Sequence, residues 1–368
     1  MVKKIRASVP AKVILFGEHF VVYGKRALAT AINRRLAVEV SGREKGGYHV
    51  KIEDIPTFGL EMDLELGKEE GKGKGKGKAL LYKDYGVATK AIAYVRESIR
   101  YLEERYGIER GGEGVEIEIK SEIPLSAGLG SSAATCVATI AALKEYFGVS
   151  GDLEGIRNDA HSIELAVQGA ASPVDTAIST YGGYVSVEKG EVERLHLSEL
   201  NLIIGCVGSI PLSMGMDTKR ASEMGLKTKK IVEGVKTRKG IFKAIFDSIF
   251  AASDEITAQA IRTIEDGDFV KLGALMNINH GLLDAIGVVP RRLSELVKMS
   301  QESGALGAKV TGAGGLDDMG GVGSVLVLPG ESGDRIKAAM EIAGALVMEV
   351  KTGGEGLKIT TENAELEV

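Results

Sequence analysis

Short apolar runs dominate the first third of the chain. AKVILFG (11–17), LAVEVSG (36–42) and HVKIED (49–54) read as strands, and GVEIEIKSEIPL (114–125) supplies another just before a Gly/Ser turn. Apolar residues at helical spacing cover 86–106, 131–147 and 153–169. After strands around 183–188 and 201–207 the pattern turns mainly helical from about 217 to 303, with strands near 308–311, 322–328 and 346–351. The shift predicts an α+β protein of two units, 1–190 and 191–368, divided within 185–200. Within the later helices, Leu282, Leu283 and Ile286 form an apolar face that reads as packing, and Asn279 and His280 are left outside any site.

Composition narrows the ligand class. With 368 residues and 44% hydrophobic content the chain can bury a full core, and its net charge of −5 gives no general attraction to nucleic acid or anionic membrane. An anionic ligand must therefore be met locally, and a small substrate is expected. Cys136 and Cys206 lie in apolar runs and read as buried free thiols. The apolar run at the N-terminus is short and is broken by Gly17, Glu18 and His19, unlike a signal peptide, and no stretch has the roughly 18–20 apolar residues of a membrane span. A cytoplasmic protein is expected. The Gly/Lys tract at 67–78 is too charged to join a core and reads as a solvated loop, or as a lid carrying lysines to phosphates. It is no P-loop, because Ala79 stands where Ser or Thr is required.

Candidate chemistry concentrates in three segments. PLSAGLGSSAA (124–134) follows a strand and opens an apolar helix, so small residues admit a polyphosphate to the helix N-terminus, where amides and the helix dipole favour anions. Alone, it fits equally well a Gly/Ser turn that only starts a core helix. In the second segment Asp159 and Glu164 share a helix that breaks at Gly169 and Pro173, which lets Asp175 converge on Glu164. Solvated surface charge is the alternative for such a pair. Lys12 sits among Val13, Ile14 and Leu15, where a lysine needs an open sheet edge or a carboxylate partner. No HExxH or Cys/His cluster accompanies His19, which argues against zinc and leaves a structural histidine as the alternative to a ligand contact.

PLSAGLGSSAA resembles the phosphate-binding motif of the GHMP kinase superfamily, and PAKVILFGEHFVVYG (10–24) is similar to its first motif in the form found in mevalonate kinases. DTAISTYGG (175–183) is similar to the mevalonate kinase stretch that follows the second carboxylate, and GAKVTGAGG (307–315) resembles the third motif. The chain departs from that third motif at Leu316, Asp317, Asp318 and Met319, which points to a reshaped loop where two added acids would weaken ATP binding or invite a second cation.

The resemblance implies an N-terminal α/β domain with a left-handed β-α-β element, a ferredoxin-like C-terminal domain and a site in the cleft between them. It implies ATP and mevalonate as substrates, Mg2+ as cofactor, no nucleic-acid or membrane partner, and it allows a homodimer. ATP would be bound by Pro124, Ser126, Ala127, Gly128, Leu129, Gly130, Ser131, Ser132, Ala133 and Ala134, and the metal by Ser132 and Glu164. Lys12 and Asp175 would be catalytic and would bind substrate together with Glu18 and His19. Phosphomevalonate or sugar kinases, a diphosphomevalonate decarboxylase and a non-catalytic ligand sensor are the competing readings.

Overall fold

A computed structural model describes residues 2–54, 58–64, 86–108, 114–124, 127–169, 171–207, 218–315, 317 and 323–364. The Gly/Lys tract, Ser126, Leu316, Asp318 and Met319 lie outside them. The first sheet is built on two long strands, β1 (Val2–Phe16) and β2 (Ala27–Arg43), with β3 (Gly47–Asp54), β4 (Phe58–Leu64), β5 (Gly114–Ser121), β6 (Tyr184–Glu188) and β7 (Glu191–Leu195). Its eighth strand is β12 (Lys358–Ala364), which returns from the far end of the chain to pair antiparallel with the first half of β1. β3 and β5 run parallel, and the connection between them carries α1 (Gly86–Tyr106).

The second sheet orders β11 (Leu346–Lys351), β8 (Asn201–Val207), β10 (Gly323–Leu328) and β9 (Gly307–Thr311) antiparallel. Helices α5 (Thr218–Ile241), α6 (Lys243–Asp266), α7 (Phe269–Ala285) and α8 (Arg291–Glu302) separate β8 from β9, and α9 (Gly333–Ile342) separates β10 from β11. That order and those crossings make the ferredoxin-like β-α-β-β-α-β arrangement. The change of sheet falls between β7 and β8, whereas β12 rejoins the first sheet, so a single cut near 190 does not describe the path of the chain.

At the centre lies α2 (Ser131–Tyr146), buried all round from Ala133 to Lys144. Its small residues let it pack against β1, β2, α1, α3 (Leu153–Gln168) and α4 (Pro173–Tyr181). A helix apolar on every face belongs inside a core, and burial of that kind stabilises at about 25 cal/mol per Å² of apolar surface. In the second unit α7 lies hard against β9: a side chain on Gly307 would meet Gly273 O, and one on Gly273 would meet Leu306 O just before β9, each at 2.4 Å. Both cysteines are free and buried. Among the described residues no helix is long and apolar enough to cross a membrane.

Candidate active site

The phosphate-loop segment is stitched to β1. β12 covers the outer edge of β1 only as far as Ser8, the ladder slips at Pro10/Ala11, and beyond that point the Lys12 amide donates to Leu129 O at 3.0 Å. Gly130 caps α2 in the left-handed region, at φ 81°. A Cβ there would stand 2.7 Å from Lys12 Cγ, so glycine is required both by the backbone and by the lysine crossing it. From the other sheet, Ser324 Oγ donates to Ala127 O at 2.6 Å. The first turn of α2 receives no side-chain cap, and the leading amides of a helix lack partners within it.

Each carboxylate is delivered by a helix end. Asp152 caps α3 by accepting from Gly155 N at 2.8 Å, and Gly169, in the left-handed region, ends it just after Glu164 and Gln168. Ser172 and Pro173 start α4, which places Asp175 in a first turn where the dipole favours an acid. Asp175 Oδ1 lies 3.1 Å from Lys12 Nζ. The open-edge alternative for Lys12 is therefore set aside: the phosphate loop occupies that edge, and the ammonium is buried against a carboxylate.

Glu164 is buried beside this pair. Its Oε1 accepts from Gln168 Nε2 at 3.0 Å, whereas Oε2 is buried with no hydrogen-bond partner. Burial first, and then the charge of Asp175, raise its pKa to about 8 against the opposing pull of Lys12, Ser132 and Gln168. An orphaned carboxylate oxygen with a serine hydroxyl against the same group fits a divalent cation that takes its other ligands from phosphates. Among the described residues no cluster of three or more His, Cys, Asp or Glu could hold a metal by itself.

Glu18 and His19 face the second unit. Glu18 is buried, and its Oε1 accepts from Lys309 Nζ; burial pushes its pKa up while Lys309 opposes the shift. His19 sits at φ 61° and donates from Nε2 to Ala313 O at 3.0 Å. Burial lowers its pKa to about 4, which keeps the ring neutral near pH 7. Asp159 turns away from this site, into a network with Lys144, Tyr101 and Tyr106. The departure in the third motif has a structural use: Asp317 accepts from Arg291 N at 2.8 Å, at the start of α8, where Pro290 offers no side-chain cap.

Two residues of the site escaped the sequence reading. Tyr94, on α1, is buried with its hydroxyl beside Ser132 and Gln168, and helical periodicity gives no sign of those neighbours. Lys309 was visible as a lysine inside the buried strand GAKVT, the same anomaly that drew attention to Lys12.

Comparison with known proteins identifies the family of the chain. Residues 93–183 match the family described as the GHMP kinases N terminal domain, and residues 258–345 match the GHMP kinases C terminal family. Mevalonate kinases of Thermococcus onnurineus (37% identical over 97% of this chain and 98% of that protein) and Pyrococcus horikoshii (38% over 98% of each) are relatives along nearly the whole length. The chain belongs to the GHMP kinases and, within them, to the mevalonate kinases. Its fold is that of the L. major mevalonate kinase solved with R-mevalonate, at a TM-score of 0.73 and 23% identity over 95% of this chain and 96% of that one. The Lactococcus lactis galactokinase structure shares it at a TM-score of 0.64 and 21% identity, over 96% and 95% of the two chains.

Proposed function

We propose that the protein transfers the γ-phosphoryl group of ATP to the 5-hydroxyl of mevalonate, giving 5-phosphomevalonate and ADP. The observation that carries this reading is the Lys12–Asp175 pair at 3.1 Å, set beneath the Gly130 turn that opens α2. The amides of 128–132 and the α2 N-terminus receive the polyphosphate. Mg2+, held by Ser132 and Glu164, would supply charge neutralisation on the β- and γ-phosphates. Asp175 accepts the proton of the attacking hydroxyl as its oxygen bonds to the γ-phosphorus and the bond to the bridging oxygen breaks. Lys12 holds Asp175 in place and stabilises negative charge developing on the attacking oxygen. Positioning and electrostatics account for most of the acceleration in such transfers.

Glu18 and His19 form the substrate-side wall next to Lys12, and two buried free cysteines suit a cytoplasmic setting. ADP release measured with mevalonate, phosphomevalonate and galactose offered separately tests the reading. Turnover with mevalonate is expected, and turnover with galactose alone would overturn it.

A further inference from the structure

Lys309 has no part in the reaction as described. It stands in β9, every residue of which is buried, and its side chain is 0% exposed. A lysine in such a place needs charge and hydrogen-bond partners. Its ammonium donates to Val310 O at 2.8 Å and to Glu18 Oε1. The Lys12 charge also acts on Glu18, the carboxylate that Lys309 holds from the second sheet. Adjoining residues hold the same two stretches of chain together: Thr311 Oγ1 donates to Ile14 O at 2.8 Å, and just past the two strands His19 donates to Ala313 O. On the α7 side, His280 feels the Lys309 charge, and neither its Nδ1 nor either polar atom of the Asn279 amide has a hydrogen-bond partner. The polar strand residues of β9 thus grip the end of β1 that carries the site.

We propose that Lys309 is a positioning residue for phosphoryl transfer: by fixing Glu18 from the second sheet, just past the end of β1, it sets the place of that strand's Lys12 ammonium against Asp175. The inference rests on the kinase reading above, which wild-type turnover with mevalonate tests by itself. Lys309→Met is expected to lower kcat by about 10- to 100-fold while the Kd for magnesium-ATP, read by calorimetry, stays within about twofold. A loss of packing alone would not separate the two readouts. Glu18→Gln and the Glu18→Gln/Lys309→Met double variant complete a cycle that also serves if the single lysine variant fails to fold, since the double leaves no unpaired buried charge. If Lys309 acts through Glu18, the double variant turns over within about threefold of Glu18→Gln. Wild-type kcat in a folded Lys309→Met, or a double variant about tenfold or more below Glu18→Gln, would overturn the proposal.

Discussion

Two lysine–aspartate pairs stand near opposite ends of α2 in the first unit, and they differ in what is left over. Lys144 meets Asp159 at 2.8 Å, and Asp159 also accepts from Tyr106 at 2.7 Å and Tyr101 at 3.0 Å, with Arg105 at 3.8 Å. Both side chains are closed off, at 4% and 5% exposure. Lys12 and Asp175 meet at 3.1 Å, yet Asp175 keeps 25% of its side chain exposed, and next to it Glu164 keeps a buried oxygen without a partner. Sequence proximity to a motif does not separate the two pairs, because Asp159 and Glu164 share one helix. Saturation does. A carboxylate whose lone pairs are all filled by its own chain ties helices together, and one with lone pairs to spare is available to a proton, a hydroxyl or a cation.

The largest expected effect strikes the open pair. Asp175→Asn should cut kcat by about two to four powers of ten, the range of a positioned acid/base group, with little change in magnesium-ATP affinity. Near-normal turnover in that variant would erase the distinction. The closed pair should fail in stability instead: Asp159→Ala leaves Lys144 buried without its partner, and denaturant unfolding should show a loss of about 3 kcal/mol, with kcat of the folded enzyme within about twofold of wild type.

A third variant probes how tightly the open pair is held. Gly130→Ala imposes a side chain at φ 81° and 2.7 Å from Lys12 Cγ, and displacement of that lysine should lower kcat by roughly 100-fold. Steady-state rates alongside a melting curve would show whether the lysine, rather than the fold, is what suffers.

The smallest effect is a pH dependence of Glu164. Its folded pKa of about 8 lies above the ordinary 4.5, so ionising it opposes folding: in metal-free protein, stability from this group is complete below the ordinary value and is lost as pH rises through about 8. A cation must displace the same proton, so half-saturating magnesium should fall by up to about tenfold per pH unit between pH 6 and 8. Glu164→Gln should remove that slope, raise the magnesium requirement and regain part of its activity in excess magnesium. A titration that shows the same slope in both proteins would move the cation elsewhere.

Much of this was legible along the chain because the signals are local. The helix at 86–106 has the bounds its periodicity predicts, and Gly169 with Pro173 breaks the chain between α3 and α4 as turn chemistry requires, so Glu164 and Asp175 converge. Glycines that permit close approach, a proline that starts a helix and a lysine misplaced in an apolar strand each carry their meaning within a few residues. Tertiary structure alone decided the pairings at long range. β12 lies along β1 although more than three hundred residues separate them, and its polar sequence KITTENA has no alternation to announce a strand. Lys309 and Glu18 are 291 positions apart, and either residue by itself is only an awkward charge in an apolar segment. Whether such a charge is saturated, left with a spare oxygen, or held for work depends on how two sheets and α2 close around it. Burial and partner geometry belong to the packed molecule, and local spacing does not encode them.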